Sequence, residues 1–154
     1  MSPSRQFVIL GREGRPVDRG GTDLASGKHM NSPLRILFVE DDPEMSAIYA
    51  ENFLPPEFEA ETAENGQKAL DKLHDSHFDV VVTDNFMPEM DGLTLLRWIK
   101  EHHPELKVLL VTAYGDWTSH AKASQLGASK FIDKPVRMTQ LKETIRELFA
   151  GSAA

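Results

Sequence analysis

The chain has 154 residues, 40% of them hydrophobic, which fits one ordinary domain with a sizeable core and leaves no room for a second full one. Its 24 acidic against 17 basic side chains give a net charge of -7, which repels a phosphate backbone, so direct nucleic-acid binding is not expected. With no cysteine, disulfides and thiolate chemistry are excluded, and the apolar runs at 80–82 and 108–111 fall far short of the ~20 residues that span a bilayer. A cytoplasmic location is the default expectation.

The first thirty residues differ from the rest. They hold five of the ten glycines, and five Lys/Arg against three Asp/Glu give them +2, which leaves -9 for the remainder. The apolar stretch Phe7 to Leu10 is too short for the core of a signal peptide. Residues 1–31 are therefore expected to be a flexible leader, either vector-encoded or upstream of a natural start at Met30, and 32–154 the folded domain. The alternative is that Phe7-Val8-Ile9-Leu10 forms an added edge strand, with a neighbouring chain as one option for its partner.

From residue 33 onward, short β-rich apolar runs alternate with segments of helical period, which predicts a parallel sheet covered by helices. The strands are expected at Leu34 to Val39, Phe58 to Thr62, Phe78 to Thr83, Leu106 to Val111 and Ser129 to Ile132. Four of these are near-continuously apolar, as strands buried on both faces should be, whereas Phe58 to Thr62 alternates and is placed at an edge. Asp42-Pro43 caps a first helix with Met45, Ile48, Tyr49 and Phe53 in one apolar stripe. A second helix over about 66–75 buries Ala69, Leu70 and Leu73. A third follows Asp91-Gly92 with Leu93, Leu96 and Ile99 inward and stops before Pro104. The fourth, near Asp116 to Leu126, is alanine-rich and ends at Gly127. In the fifth, Leu141, Ile145, Leu148 and Phe149 form one face, and with few residues after it no output module is expected to follow.

In an open parallel sheet, sites form at the carboxyl ends of the strands, beside the point where the winding reverses. The first strand ends in Glu40-Asp41-Asp42, the third in Asp84, the fourth in Thr112, and the fifth shortly before Lys134. Glu40, Asp41 and Asp84 together supply -3 and Lys134 +1, and the residual -2 is what one Mg²⁺ neutralises. A hard cation with oxygen ligands suits phosphoryl transfer, with Asp84 as nucleophile and with Lys134 and the Thr112 hydroxyl holding phosphate oxygens.

The string Val81-Val82-Thr83-Asp84-Asn85-Phe86-Met87-Pro88-Glu89-Met90-Asp91-Gly92 resembles the response-regulator receiver domain. So do Ile36-Leu37-Phe38-Val39-Glu40-Asp41-Asp42 before it, and Val111-Thr112-Ala113 and Lys134-Pro135 after it. The likeness covers about residues 34–149. It extends to the spacings: 43 residues from Asp41 to Asp84, 28 on to Thr112 and 22 on to Lys134. The resemblance implies a flavodoxin-like, doubly wound, five-stranded (βα)5 sheet. It implies Mg²⁺ held by Glu40, Asp41, Asp84 and the backbone carbonyl of Phe86, with Asp84 as phosphoacceptor. Thr112 would be the switch hydroxyl, Lys134 the phosphate-binding lysine before a cis proline, and Phe131 the rotating aromatic. The implied phosphoryl donor is a histidine kinase or a histidine phosphotransfer protein. The implied target surface is formed by the fourth and fifth helices and the fifth strand, and a homodimer is left open. Such a chain is a signalling domain rather than an enzyme.

Plainer readings hold at several positions. Asp42 and Asp91 are expected to be helix caps, Met87-Pro88 to shape a loop, and all six histidines to be surface or packing residues. Phe131 has simple core packing as its alternative. A phosphohydrolase working through an aspartyl-phosphate would need a second Asp two residues after the nucleophile, where this chain has Phe86. A degenerate receiver acting only as an interaction module is opposed by the intact set of acids, Thr112 and Lys134. The bulky Phe86 and Tyr114, each two positions beyond Asp84 and Thr112, are expected to slow loss of the phosphoryl group by obstructing water.

Overall fold

The computed structural model of the chain describes residues 9–10, 16–17, 32–113 and 115–150. Its centre is a sheet of five strands: β1 Leu34–Val39, β2 Phe58–Ala63, β3 Val80–Asp84, β4 Lys107–Thr112 and β5 Lys130–Asp133. Five helices connect and follow them: α1 Pro43–Asn52, α2 Gly66–Asp75, α3 Gly92–His102, α4 Trp117–Leu126 and α5 Met138–Ala150. The order across the sheet is β2-β1-β3-β4-β5 and every pairing is parallel, so this is the expected doubly wound arrangement with the alternating strand β2 at an edge. Ile9–Leu10 pairs antiparallel with Pro16–Val17 in a separate two-stranded sheet. The remainder of the expected leader, Phe7 and Val8 included, lies outside the described residues.

Two apolar layers flank the sheet because successive strand residues face opposite ways. Leu37, Val39, Val81, Val108 and Leu110 pack under α2, α3 and α4 with Ala69, Leu73, Leu96, Ile99 and Ala123. Ile36, Phe38, Val80, Val82, Leu109 and Val111 pack under α1 and α5 with Tyr49, Phe53, Leu141 and Ile145. Two helical faces differ from expectation. Ile48, about 100° round α1 from Tyr49, turns to solvent and is 41% exposed. On α3, Leu95 is fully buried and Leu93 only partly, because α3 sits between α2 and α4 and buries a wider arc than one stripe.

The helix starts hold as read. Asp42 Oδ1 accepts from the Glu44 amide at 3.0 Å and Asp91 Oδ1 from the Thr94 amide at 2.8 Å, each satisfying a first-turn donor. α4 begins on Asp116, which accepts from the Ser119 amide at 3.1 Å, and ends on Gly127 in the left-handed region at φ 97°.

The strands run slightly later than their apolar runs. β3 begins at Val80 rather than Phe78 and includes Asp84, β4 includes Thr112, and β5 includes Asp133. Backbone pairing is indifferent to side-chain polarity, so the ladder continues through these residues: Asp84 is in register with Val111 and Thr112 with Asp133.

α3 enters directly against the end of β3. The Gly92 amide donates to the Asn85 carbonyl at 2.8 Å, and a Cβ at Gly92 would collide with the Asp84 carbonyl oxygen and lie 2.9 Å from the Asn85 Cα. Both obstacles are backbone, which cannot rotate aside. Gly92→Ala is expected to lower stability by about 1–3 kcal/mol through overpacking, seen as a lower urea midpoint with an unchanged slope.

Candidate functional site

The register sets the rim of the sheet. Val39 pairs with Thr83 and Asp84 with Val111, so Glu40 and Asp84 leave neighbouring strands at the same level. One carboxylate oxygen each from Glu40, Asp41 and Asp84 lie within 4.8 Å of one another. Glu40 and Asp84 are buried and Asp41 is exposed, which gives the cluster one open side. Lys134, just after β5, donates from Nζ to Asp84 Oδ2 at 2.9 Å. Its own amide donates to the Thr112 carbonyl at 2.8 Å, fixing where the lysine leaves the sheet, and the bond to Pro135 is cis.

The electrostatics follow from that packing. Burial pushes the Glu40 carboxyl up to about 7, against the Asp42 amide hydrogen bond, and the Asp84 charge adds to the rise. Partial burial pulls the Lys134 ammonium down, but the hydrogen bond to Asp84 and the charges of Asp84, Glu40 and Asp41 outweigh it, so it ends above the usual lysine value. Tyr49, buried and stacked on Phe38 at 4.2 Å, is held protonated by its burial first and then by the charges of Glu40 and Asp84. An all-oxygen cluster with surplus negative charge and a carboxyl pushed toward neutrality has the character of a divalent-cation site, and the donor set fits a hard ion such as Mg²⁺.

The remaining expected residues form a second group beside the first. Thr112, fully buried, donates from Oγ1 to Asp133 Oδ1 at 3.0 Å and meets His120 Nε2 at 3.0 Å. His120 Nε2 also lies 3.1 Å from Asp133 Oδ1. The His120 ring stacks on Phe131, with centroids 4.6 Å apart and planes 16° apart, and Phe131 also packs against the core beneath α3 and α4. Next to Asp84, buried Asn85 donates from Nδ2 to Ser119 Oγ at 2.8 Å. The first turn of α4 thus touches both the residue after Asp84 and the hydroxyl of Thr112.

These contacts correct one expectation. His120 is not merely a surface or packing residue, because its ring engages Thr112 and Asp133. Asp133 and the Asn85–Ser119 pair were also missed. The local signal was the Asp116 cap: it orients the turn that carries Ser119 and His120, placing them over the sheet rim. Asp42 and Asp91 take no part beyond their caps. Phe86, two residues past Asp84, has its side chain 64% exposed, and Tyr114 lies outside the described residues. Among the described residues, no helix is long and apolar enough to cross a membrane.

Comparison with known proteins agrees with this geometry. The profile of the response regulator receiver domain matches residues 36–146. Regulatory protein AtoC of Escherichia coli is 36% identical over 107 residues, covering 70% of this chain and 23% of that protein. The DNA-binding transcriptional regulator NtrC of Klebsiella pneumoniae is 36% identical over 97 residues, covering 63% and 21%. The chain thus spans about a quarter of the length of these curated relatives. Among solved structures, the response regulator protein TrrA of Thermotoga maritima, in complex with Mg²⁺-BeF, superposes with a TM-score of 0.67 at 32% identity, covering 75% of this chain and 98% of that one. A CheY-like receiver domain protein of Methanospirillum hungatei gives a TM-score of 0.72 at 29% identity, covering 76% and 94%. Profile, sequence and fold converge on one conclusion: the chain belongs to the response regulator receiver domain family of two-component signalling.

Proposed function

We propose that Asp84 accepts a phosphoryl group in a Mg²⁺-dependent reaction and that the modified carboxylate resets a partner-binding face. The observation that carries this reading is the meeting of Glu40, Asp41 and Asp84 within 4.8 Å, with Lys134 Nζ 2.9 Å from Asp84 Oδ2. In the transfer, an Asp84 oxygen forms the new bond to phosphorus as the nitrogen–phosphorus bond of a phosphohistidine breaks, and the leaving imidazole keeps the electron pair and takes up a proton. The donor is a histidine kinase or a histidine phosphotransfer protein, and the domain works in the cytoplasm.

Glu40, Asp41, Asp84 and the Phe86 carbonyl would hold the cation. Once bound, it would supply charge stabilisation to the phosphoryl oxygens. Lys134 is already poised on Asp84 and would follow the charge as it moves outward onto the phosphoryl group. Thr112 would hydrogen-bond a phosphoryl oxygen, and Phe131, stacked on the His120 ring that meets Thr112, would move with it. The face made by α4, β5 and α5 would then favour a different protein target; such a switch needs only a few kcal/mol between two states. The phosphohydrolase alternative gains nothing from this site, since the position that would hold its acid is Phe86 with an outward side chain.

Incubation with acetyl phosphate and Mg²⁺ should add the mass of one phosphoryl group to the wild type, and none to Asp84→Asn or to wild type held in EDTA. Modification of Asp84→Asn to the same extent would sink the assignment. Phe86→Asn should speed loss of the phosphoryl group severalfold if the bulky ring two residues past Asp84 obstructs the approach of water to the phosphoryl group; an unaltered decay rate would refute that role.

Glu40 carries a separate pH prediction. Its folded value, about 7, lies above the ordinary 4.5, so its contribution to stability is complete below about pH 4.5 and is lost as pH rises through 7. In EDTA at pH 8, Glu40→Gln should therefore be more stable than wild type by on the order of 1–2 kcal/mol after solvent screening, with the difference gone near pH 4.5. Mg²⁺ should reverse the ranking at pH 8, which thermal unfolding with and without the cation would read.

A further inference from the structure

The Thr112 hydroxyl faces the wrong way for its proposed task. Thr112 lies on β4, between β3, which carries Asp84, and β5, which carries Asp133, and the bond from its Oγ1 to Asp133 runs to the β5 side. A hydroxyl has one proton to give, and an ionised carboxylate only accepts. The Thr112 proton therefore goes to Asp133, and its contact with His120 requires a proton on His120 Nε2. That one N–H faces two acceptors, Thr112 Oγ1 at 3.0 Å and Asp133 Oδ1 at 3.1 Å, in a shared bond. Hydroxyl and carboxylate meet the same ring nitrogen, so this is not the relay of a hydrolase, where the carboxylate orients the far nitrogen and the near one takes the hydroxyl proton.

We propose that His120 is a positioning residue which latches the Thr112 hydroxyl toward β5 in the unphosphorylated domain and sets how readily it swings to a phosphoryl group on Asp84. This inference rests on the phosphoacceptor reading above. Swinging toward β3 requires Thr112 to give up both Asp133 and His120. Because the His120 ring lies flat on Phe131 and edge-on to Trp117, at 5.7 Å between centroids, release of the hydroxyl and repacking of the aromatic group become one event. α4 carries the change outward, since Ser119, the residue before His120, is bonded to Asn85 beside Asp84.

Two substitutions separate the hydrogen bond from the ring packing. His120→Gln keeps an N–H donor of similar reach and loses the aromatic face, while His120→Phe keeps the face and loses the donor. Each protein is titrated with beryllofluoride and Mg²⁺ and followed by NMR at Thr112, Phe131 and the Trp117 indole. The Phe variant should bind about fivefold more tightly than wild type, the equivalent of one net hydrogen bond removed from the resting state, with its free-state resonances displaced toward the bound ones. The Gln variant should stay within about twofold of wild type. Nitrogen shifts of the free wild type should show His120 protonated at Nε2, a readout that needs no variant to fold. The latch is overturned by a ring protonated only at Nδ1, by Phe and Gln variants of equal affinity, or by a Phe variant no tighter than wild type. Failure of the underlying reading looks different: wild type itself would show no beryllofluoride response that Asp84→Asn abolishes.

Discussion

The hydrogen-bonded ion pair between Lys134 and Asp84 is the contact on which the rest of the molecule turns. Three carboxylates drawn together against one ammonium are self-repelling, and the sheet must hold them there. It does so by register: parallel pairing brings the ends of β1, β3, β4 and β5 level, so residues far apart in sequence share one rim. Apolar layers on both faces of the sheet supply the stability that the rim consumes. Gly92 adds a local constraint, letting α3 start against the backbone that carries Asp84. An acid cluster built this way keeps surplus negative charge for a cation to offset, and burial, with the Asp84 charge beside it, raises the Glu40 carboxyl to about 7.

Asp84 and the candidate output face are joined by the first turn of α4. Ser119 reaches the residue after Asp84, and the next side chain, His120, reaches Thr112, Asp133 and Phe131. A helix held at two adjacent positions by the ends of β3, β4 and β5 responds to a change at any of them. This gives a physical route from the carboxylate to a surface: hydrogen bonds at the helix entry, then the exposed side of the helix, where Trp117 stands 71% accessible.

Much of this was legible in the residues. The five strands, five helices and the edge position of β2 follow from periodicity, and the acids and Lys134 follow from the rule that sites gather at strand ends. Boundaries were less visible, since Asp84, Thr112 and Asp133 are paired by backbone groups that polarity does not reveal. Ile48 and Leu95 were misjudged because a helix's buried arc depends on how many neighbours flank it, which local period does not encode. His120 was missed for a related reason. Its spacing to other histidines excluded a metal role, but its partners lie on two separate strands and become neighbours only when β4 and β5 pair.

The site is assembled from residues spread along the chain in a particular order. Glu40, Asp41 and Asp84 all precede the lysine that partners them, which follows Asp84 by 50 positions. During synthesis the negative groups therefore emerge first and their counter-charge last. Any fragment that stops short of Lys134, just past β5, carries the repulsion with no ammonium set against it, so the last segment of the sheet to emerge brings the charge that partly offsets the acids.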